Sequence, residues 1–165
     1  MHDGPVIANN TPLVAFWTIA QTNILRELFG EILIPQAVYE EFLAFEHKSR
    51  LAVLQNNSWI KVVPLKNPGR ASAFVGLDHG EAEVLALAEE QDARLVLIDE
   101  RRGRKYAQRL GFPVSGTLGL LLLAKEAGII PAVLPMVTAI QAAGLYFHPD
   151  LVEKVLHIAG ESSNR

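Results

Sequence analysis

The chain contains no cysteine in 165 residues. That excludes a disulfide framework, a thiolate metal site and a cysteine nucleophile. It is compatible with a reducing cytoplasm, the compartment expected here. No apolar run approaches the ~20 residues a membrane-spanning helix needs; the longest candidate runs only from Leu118 to Ala124. No membrane partner is therefore expected. The opening Met1-His2-Asp3-Gly4-Pro5 has neither a basic start nor an apolar core, so no signal peptide is expected. An excess of basic charge is missing too. The 15 Lys and Arg against 18 Asp and Glu leave a net charge of −3, which argues against a surface coated for nucleic acid but permits a local basic patch. The five His are scattered without a His-x-x-x-His pair to suggest zinc. Gly116-Thr117-Leu118-Gly119 is not followed by the Lys-Ser/Thr of a phosphate loop, which rejects a nucleoside triphosphatase.

What is present has the composition of a folded domain. Half the residues are hydrophobic and a fifth are charged. The length predicts one domain over 1–165, with a core at about 5–128 and a helical extension at about 129–160. Short apolar runs at 6–8, 32–34, 59–63, 95–98 and 113–115 read as strands. Helices are expected from Pro12 through 13–19, then at 23–29, 36–46, 47–57 (short, with a loop), 81–91, 101–110, 117–127, 132–143 and 149–158. Residues 66–76, with Pro68, Gly69 and Gly76, read as a connection. Strands alternating with helices indicate a parallel sheet covered on both faces.

The run Leu95-Val96-Leu97-Ile98-Asp99-Glu100 ends a buried strand in a carboxylate, where open parallel sheets bind their ligands. Asn9 follows the first strand in the same way. If those strands are neighbours, the two side chains lie about one strand spacing apart, ~5 Å. On the helix after Pro35, Val38, Phe42 and Phe45 form an apolar stripe. Glu41 falls on that stripe and Glu40 points about 100° away. A carboxylate on an apolar face calls for a partner or a cation, so Glu41 is a candidate and Glu40 a solvated residue. Glu81 lies with Val84, Leu85 and Ala88, while Glu83 sits nearer the helix edge. Glu81 also occupies a first helical turn, which stabilises a negative charge whatever else it does. Converging carboxylates raise one another's pKa. A hard divalent ion such as Mg²⁺ or Mn²⁺ relieves that repulsion, takes oxygen ligands and can activate water at a phosphodiester.

Five ordered motifs carry a resemblance: Asn9-Asn10-Thr11-Pro12-Leu13, Ile34 to Phe42, Gly80-Glu81-Ala82-Glu83, Leu97 to Arg104, and Gly116-Thr117-Leu118-Gly119. They resemble the PIN-domain family, and more closely a PIN-like subfamily of predicted nucleic-acid-binding proteins in prokaryotes, from Val6 to about Gly160. The resemblance implies a three-layer α/β/α domain with a central parallel sheet. It implies an acidic pocket for Mg²⁺ or Mn²⁺ and cleavage of RNA, as in the toxin halves of toxin–antitoxin pairs. It places Asn9 where the family usually has its first Asp and Glu41 on the helix acid. Glu81, with Glu83 as the alternate, falls on the third acid, and Asp99, with Glu100 beside it, on the acid after the fourth strand. Thr11, Ser115 and Thr117 fall near supporting hydroxyl positions. Asn for Asp at position 9 removes one negative charge. Weaker metal binding, narrower metal preference and lost catalysis are all open consequences.

Arg101, Lys105 and Arg109 form an i, i+4, i+8 stripe, and Arg102 and Arg104 spread the charge around the first turn. A solvated helix face is the usual reason for such spacing. Here the cluster begins beside Asp99, so an RNA-backbone role is expected, led by Arg101 and Arg102. His79 could be a base or a cap-region contact. His148 and His157 are expected to be structural, and Phe147 to pack in the core or an interface. Apolar stretches at 118–124, 132–143 and 145–149 leave surface for a homodimer, and an antitoxin segment could cover the basic patch. Three readings follow: a Mg²⁺- or Mn²⁺-dependent ribonuclease; a catalytically weak module that binds RNA or a protein; and, least favoured because an acidic pocket suits a phosphate poorly without a metal, a small-ligand or nucleotide-binding α/β domain.

Overall fold

The computed structural model describes residues 3–161. Five short strands form one sheet: β1 (Val6–Ala8), β2 (Ile32–Ile34), β3 (Ile60–Val62), β4 (Leu95–Leu97) and β5 (Val114–Ser115). All neighbours are parallel, in the order β3-β2-β1-β4-β5. β1, β2 and the end of β4 are buried on both faces, as continuous apolar runs in a covered parallel sheet must be.

The helices are α1 (Asn10–Thr18), α2 (Asn23–Phe29), α3 (Gln36–Leu43), α4 (His47–Asn56), α5 (His79–Gln91), α6 (Arg101–Arg109), α7 (Thr117–Glu126), α8 (Leu134–Ala142) and α9 (Pro149–Ile158). α5 packs on β1 and β4 and against α3 and α6; α7 packs on β5 with α1, α2 and α9. This is a three-layer α/β/α arrangement. The main core runs from Ile7 and Leu97 in the sheet to Val137, Ile140, Phe147 and Val155 near the C-terminus, without a break.

Several expected boundaries shift. The first helix begins at Asn10, not Pro12, because Asn9 takes the extended N-cap conformation. The helix expected at 36–46 stops at Leu43. Phe45 is 72% exposed, so the apolar stripe ends at Phe42. The connection at 66–76 contains a 3-10 helix, Pro68–Ala73, with Pro68 in its first turn. α5 starts two residues early because Asp78 caps it. α8 starts two residues late, with Pro135 in its first turn, where a missing N–H costs nothing.

β1 and β4 are neighbours, with Ala8 level with Leu97. The chain leaves β1 on one side towards β2 and returns to β4 on the other. Their carboxyl ends therefore flank the switch point of the sheet, where the adjoining loops diverge and leave a crevice.

Candidate active site

Asn9 and Asp99 lie at this switch point. The Asn9 N–H donates to Leu97 O at 2.8 Å, extending the β1–β4 ladder by one residue. The Asn9 side chain is 4% exposed, and its Oδ1 is buried with no hydrogen-bond partner. An orphaned carbonyl of this kind carries a desolvation cost of ~1–3 kcal/mol. It is a hard oxygen donor that no protein hydrogen-bond donor satisfies.

Asp99 is held by the start of α7. The Thr117 N–H donates to Oδ1 at 2.8 Å and its hydroxyl to Oδ2 at 2.7 Å. Burial pushes the Asp99 carboxyl above its ordinary range, while the two Thr117 bonds and nearby Arg104 pull it back. Gly116 makes the approach possible. A Cβ there would lie 2.7 Å from Asp99 Oδ1 and 2.9 Å from Arg104 Nη1. Arg104 is half-buried and donates to Ile98 O at 3.3 Å, so it lies inside the site rather than on the surface.

The other acids form a separate group. Glu41 lies over Gly80, where a Cβ would come within 2.3 Å of its Oε1. Its carboxyl is pushed up first by burial and then by Asp78, against a backbone hydrogen bond from Gly80. Glu81 is 6% exposed. Burial raises its carboxyl most, followed by Asp78, with smaller contributions from Glu100 and Glu41. It also closes a capping box: its N–H donates to Asp78 Oδ1 at 2.8 Å, and its Oε2 accepts from the Asp78 N–H at 3.4 Å. Glu81 thus has a structural role at the helix terminus as well as a place in the acidic group.

Glu83 is engaged elsewhere. Its Oε1 accepts from the Ala37 N–H at 2.9 Å and its Oε2 lies 3.4 Å from His79 Nε2. α3 has no side-chain cap of its own, so a carboxylate from α5 supplies one. This tie fixes α3 against α5 and sets Glu41 over Gly80. Glu40 is exposed.

The structure therefore brings Glu41, Glu81 and Glu100 together with Asp78, and gives Asp99 to Thr117 and Arg104. Among the described residues, no three His, Asp or Glu side chains are gathered closely enough to hold a metal ion. The single convergent ligand set expected for Asn9, Glu41, Glu81 and Asp99 is not preassembled. Asp99 instead has both oxygens engaged by the Thr117 N–H and hydroxyl. The donor set still fits a hard divalent cation. It contains only oxygens, its acids have raised pKa values, and a buried amide oxygen is unsatisfied.

Thr11, in the first turn of α1, shares a recess of about 260 Å³ with Asp99 and Glu100. Ser115 lines a larger cavity of about 700 Å³ with Asp99, Arg101 and Arg104. Of the basic cluster, Arg101 and Lys105 are exposed and line a shallow groove with Arg102. The Arg102 guanidinium already donates to Gly76 O at 2.9 Å. Arg102 and Tyr106, which donates to Val75 O, thus tether the loop before α5.

Asp78 and Tyr146 were given no role from the sequence, and Gly80 and Gly116 stood there only as motif positions. Asp78 had a readable signal, an acid three residues before Glu81 at a helix start. His148 and Phe147, expected to be structural, line both cavities beside Asp99. Phe147 is nonetheless buried in the core.

A family model described as a PIN domain matches residues 5–161. No curated protein matches the sequence. The family match spans nearly all the elements above, including both sides of the β1–β4 switch point: the chain belongs to the PIN-domain family.

Proposed function

We propose that this chain is a Mg²⁺- or Mn²⁺-dependent ribonuclease. The observation that carries the reading is the orphaned Asn9 Oδ1 at the switch point it shares with Asp99, where burial raises the carboxyls of Glu41, Glu81 and Asp99. Asn9, Glu41, Glu81 and Asp99 would hold the cation, directly or through water, with Glu100 at the rim. The bound ion would supply charge neutralisation and water activation at an RNA phosphodiester. Thr117 keeps Asp99 ionisable and oriented. Gly80 and the Glu83–Ala37 tie keep Glu41 on the inner face of α3. Arg101 and Lys105 bind the RNA backbone, and Arg102 does so only from the face not bonded to Gly76.

The second reading is a binding module without cleavage. Two observations favour it: the neutral residue at position 9, and the engagement of both Asp99 oxygens by Thr117. Incubating the protein and an Asp99→Ala control with structured RNAs, with and without Mn²⁺, separates the two. Mn²⁺-dependent cleavage absent from the control supports the nuclease. Retained binding with no cleavage above the control supports the module. The biological setting we propose is the toxin of a toxin–antitoxin pair, acting as a homodimer in the cytoplasm. Among the described residues no helix is long and apolar enough to cross a membrane.

A further inference from the structure

Tyr146 is 77% exposed. Its neighbours pin it in place. Phe147 is buried in the core on one side. His148 then caps α9, its Nδ1 accepting from the Asp150 N–H at 3.2 Å. A large aromatic ring is thus presented to solvent from a fixed segment. With Thr11, Asp99 and Glu100, it lines the 260 Å³ recess. The 700 Å³ cavity shares Asp99, Phe147 and His148 with this recess and adds Arg101 and Arg104. Arg101 in turn belongs to the groove shared with Arg102 and Lys105.

Tyr146's own recess is acidic, and the cations reach it only through the cavity that shares Asp99, Phe147 and His148 with it. A ring for a base and cations farther along for the backbone is the combination that binds single strands. We propose that Tyr146 stacks on a base of single-stranded RNA, next to the nucleotide whose phosphate lies at Asp99. This deepens the ribonucleic-acid reading above and rests on it. A duplex would keep its bases inside the stack and out of reach of the ring. An acidic peptide could use the same cations but has no planar face requiring Tyr146.

The test is fluorescence anisotropy with a labelled single-stranded oligoribonucleotide and a matching strand carrying abasic positions, in Ca²⁺ to avoid turnover. Tyr146→Ala is expected to lose roughly 5- to 100-fold in affinity for the intact strand, the range of one base–aromatic stack. Tyr146→Phe retains affinity, because stacking needs the ring and not the hydroxyl. The abasic strand binds more weakly to the unaltered protein, and Tyr146→Ala lowers its binding no further. Equal binding of the intact strand by Tyr146→Ala overturns the proposal. So does an undiminished effect of the substitution on the abasic strand. Tyr146-dependent binding of an acidic peptide, with RNA binding unchanged, overturns it in favour of a protein partner. If the unaltered protein binds no RNA at all, the ribonuclease reading fails and this proposal fails with it.

Discussion

Thr117 holds both oxygens of Asp99, one through its backbone N–H and one through its hydroxyl. The pair couples the N-terminus of α7 to the end of β4. Hydrogen bonds to a charged group contribute ~1.5–3 kcal/mol. Thr117→Val keeps the shape and the backbone donor but loses the hydroxyl bond. Its expected cost is about 1–2 kcal/mol in denaturant unfolding near neutral pH, with Thr117→Ser close to the unaltered protein. Equal stability of the Val and Thr forms would show that Asp99 does not depend on this hydroxyl.

Restoring a charge at position 9 has two opposed effects. Asn9→Asp places a carboxylate in a 4%-exposed position close to Asp99, so the metal-free protein is expected to melt at a lower temperature. Mn²⁺ is expected to bind more tightly and to raise the melting temperature more than it does for Asn9. Titration calorimetry showing unchanged Mn²⁺ affinity would count against position 9 as a ligand position.

Gly80 is the surface on which Glu41 rests. A Cβ there would lie 2.3 Å from the Glu41 oxygen, too close for either group to stay put. Gly80→Ala is expected to push the Glu41 carboxylate off its seat and to reduce Mn²⁺ affinity, with little change in stability because the contact is with the end of a flexible side chain. A Gly80→Ala protein with unchanged Mn²⁺ affinity would mean that the seat over Gly80 does not position Glu41 for the cation.

Arg101 and Arg102 should differ in solution. Both are exposed, but Arg102 is also bonded to Gly76 O. If RNA binds along α6, Arg101→Ala is expected to weaken it and to lower the salt slope of log affinity by about 0.7, the contribution of one phosphate contact on a single strand. Arg102→Ala is expected to change that slope less and to loosen the 75–76 loop, measurable by hydrogen exchange at the start of α5. Equal salt slopes for the two variants would refute this division.

Glu161 ties the end of the described chain to α8. Its carboxylate accepts from the N–H groups of Val133 and Leu134 and pairs with Lys125 at 2.9 Å. Burial alone raises its pKa, but these partners together hold it below the ordinary 4.5. A depressed folded pKa contributes stability above the unfolded value, and that stability is lost as pH falls through the folded value. Glu161→Gln is therefore expected to cost about 1 kcal/mol at pH 7 and to converge with the unaltered protein once the pH falls below the depressed carboxyl pKa. A pH-independent difference would assign the effect to packing instead.

Much of the arrangement was legible in the chain because short-range physics dictated it. The strands after Pro5, before Pro35 and before Asp99 are continuous apolar runs, and all lie buried in the sheet. Helical spacing placed Glu41 inward and Glu40 outward, as they stand. The same spacing misjudged Phe45, because the helix ends at Leu43. Periodicity cannot show where a helix stops without a cap residue to mark it.

Residue type and spacing, then, determined the parallel α/β class, the acid at the end of β4 and the neutral amide at the end of β1. Tertiary structure alone decided which groups meet. The strand order made Asn9 and Asp99 neighbours. Close approach over Gly80 and Gly116 divided the acids between an Asp78 group and Thr117. Chain return brought Tyr146 and His148 to the site from about 50 residues beyond Asp99. Local periodicity carries no information about such pairings. They are set by which apolar faces must be buried against each other, and only the complete core settles that.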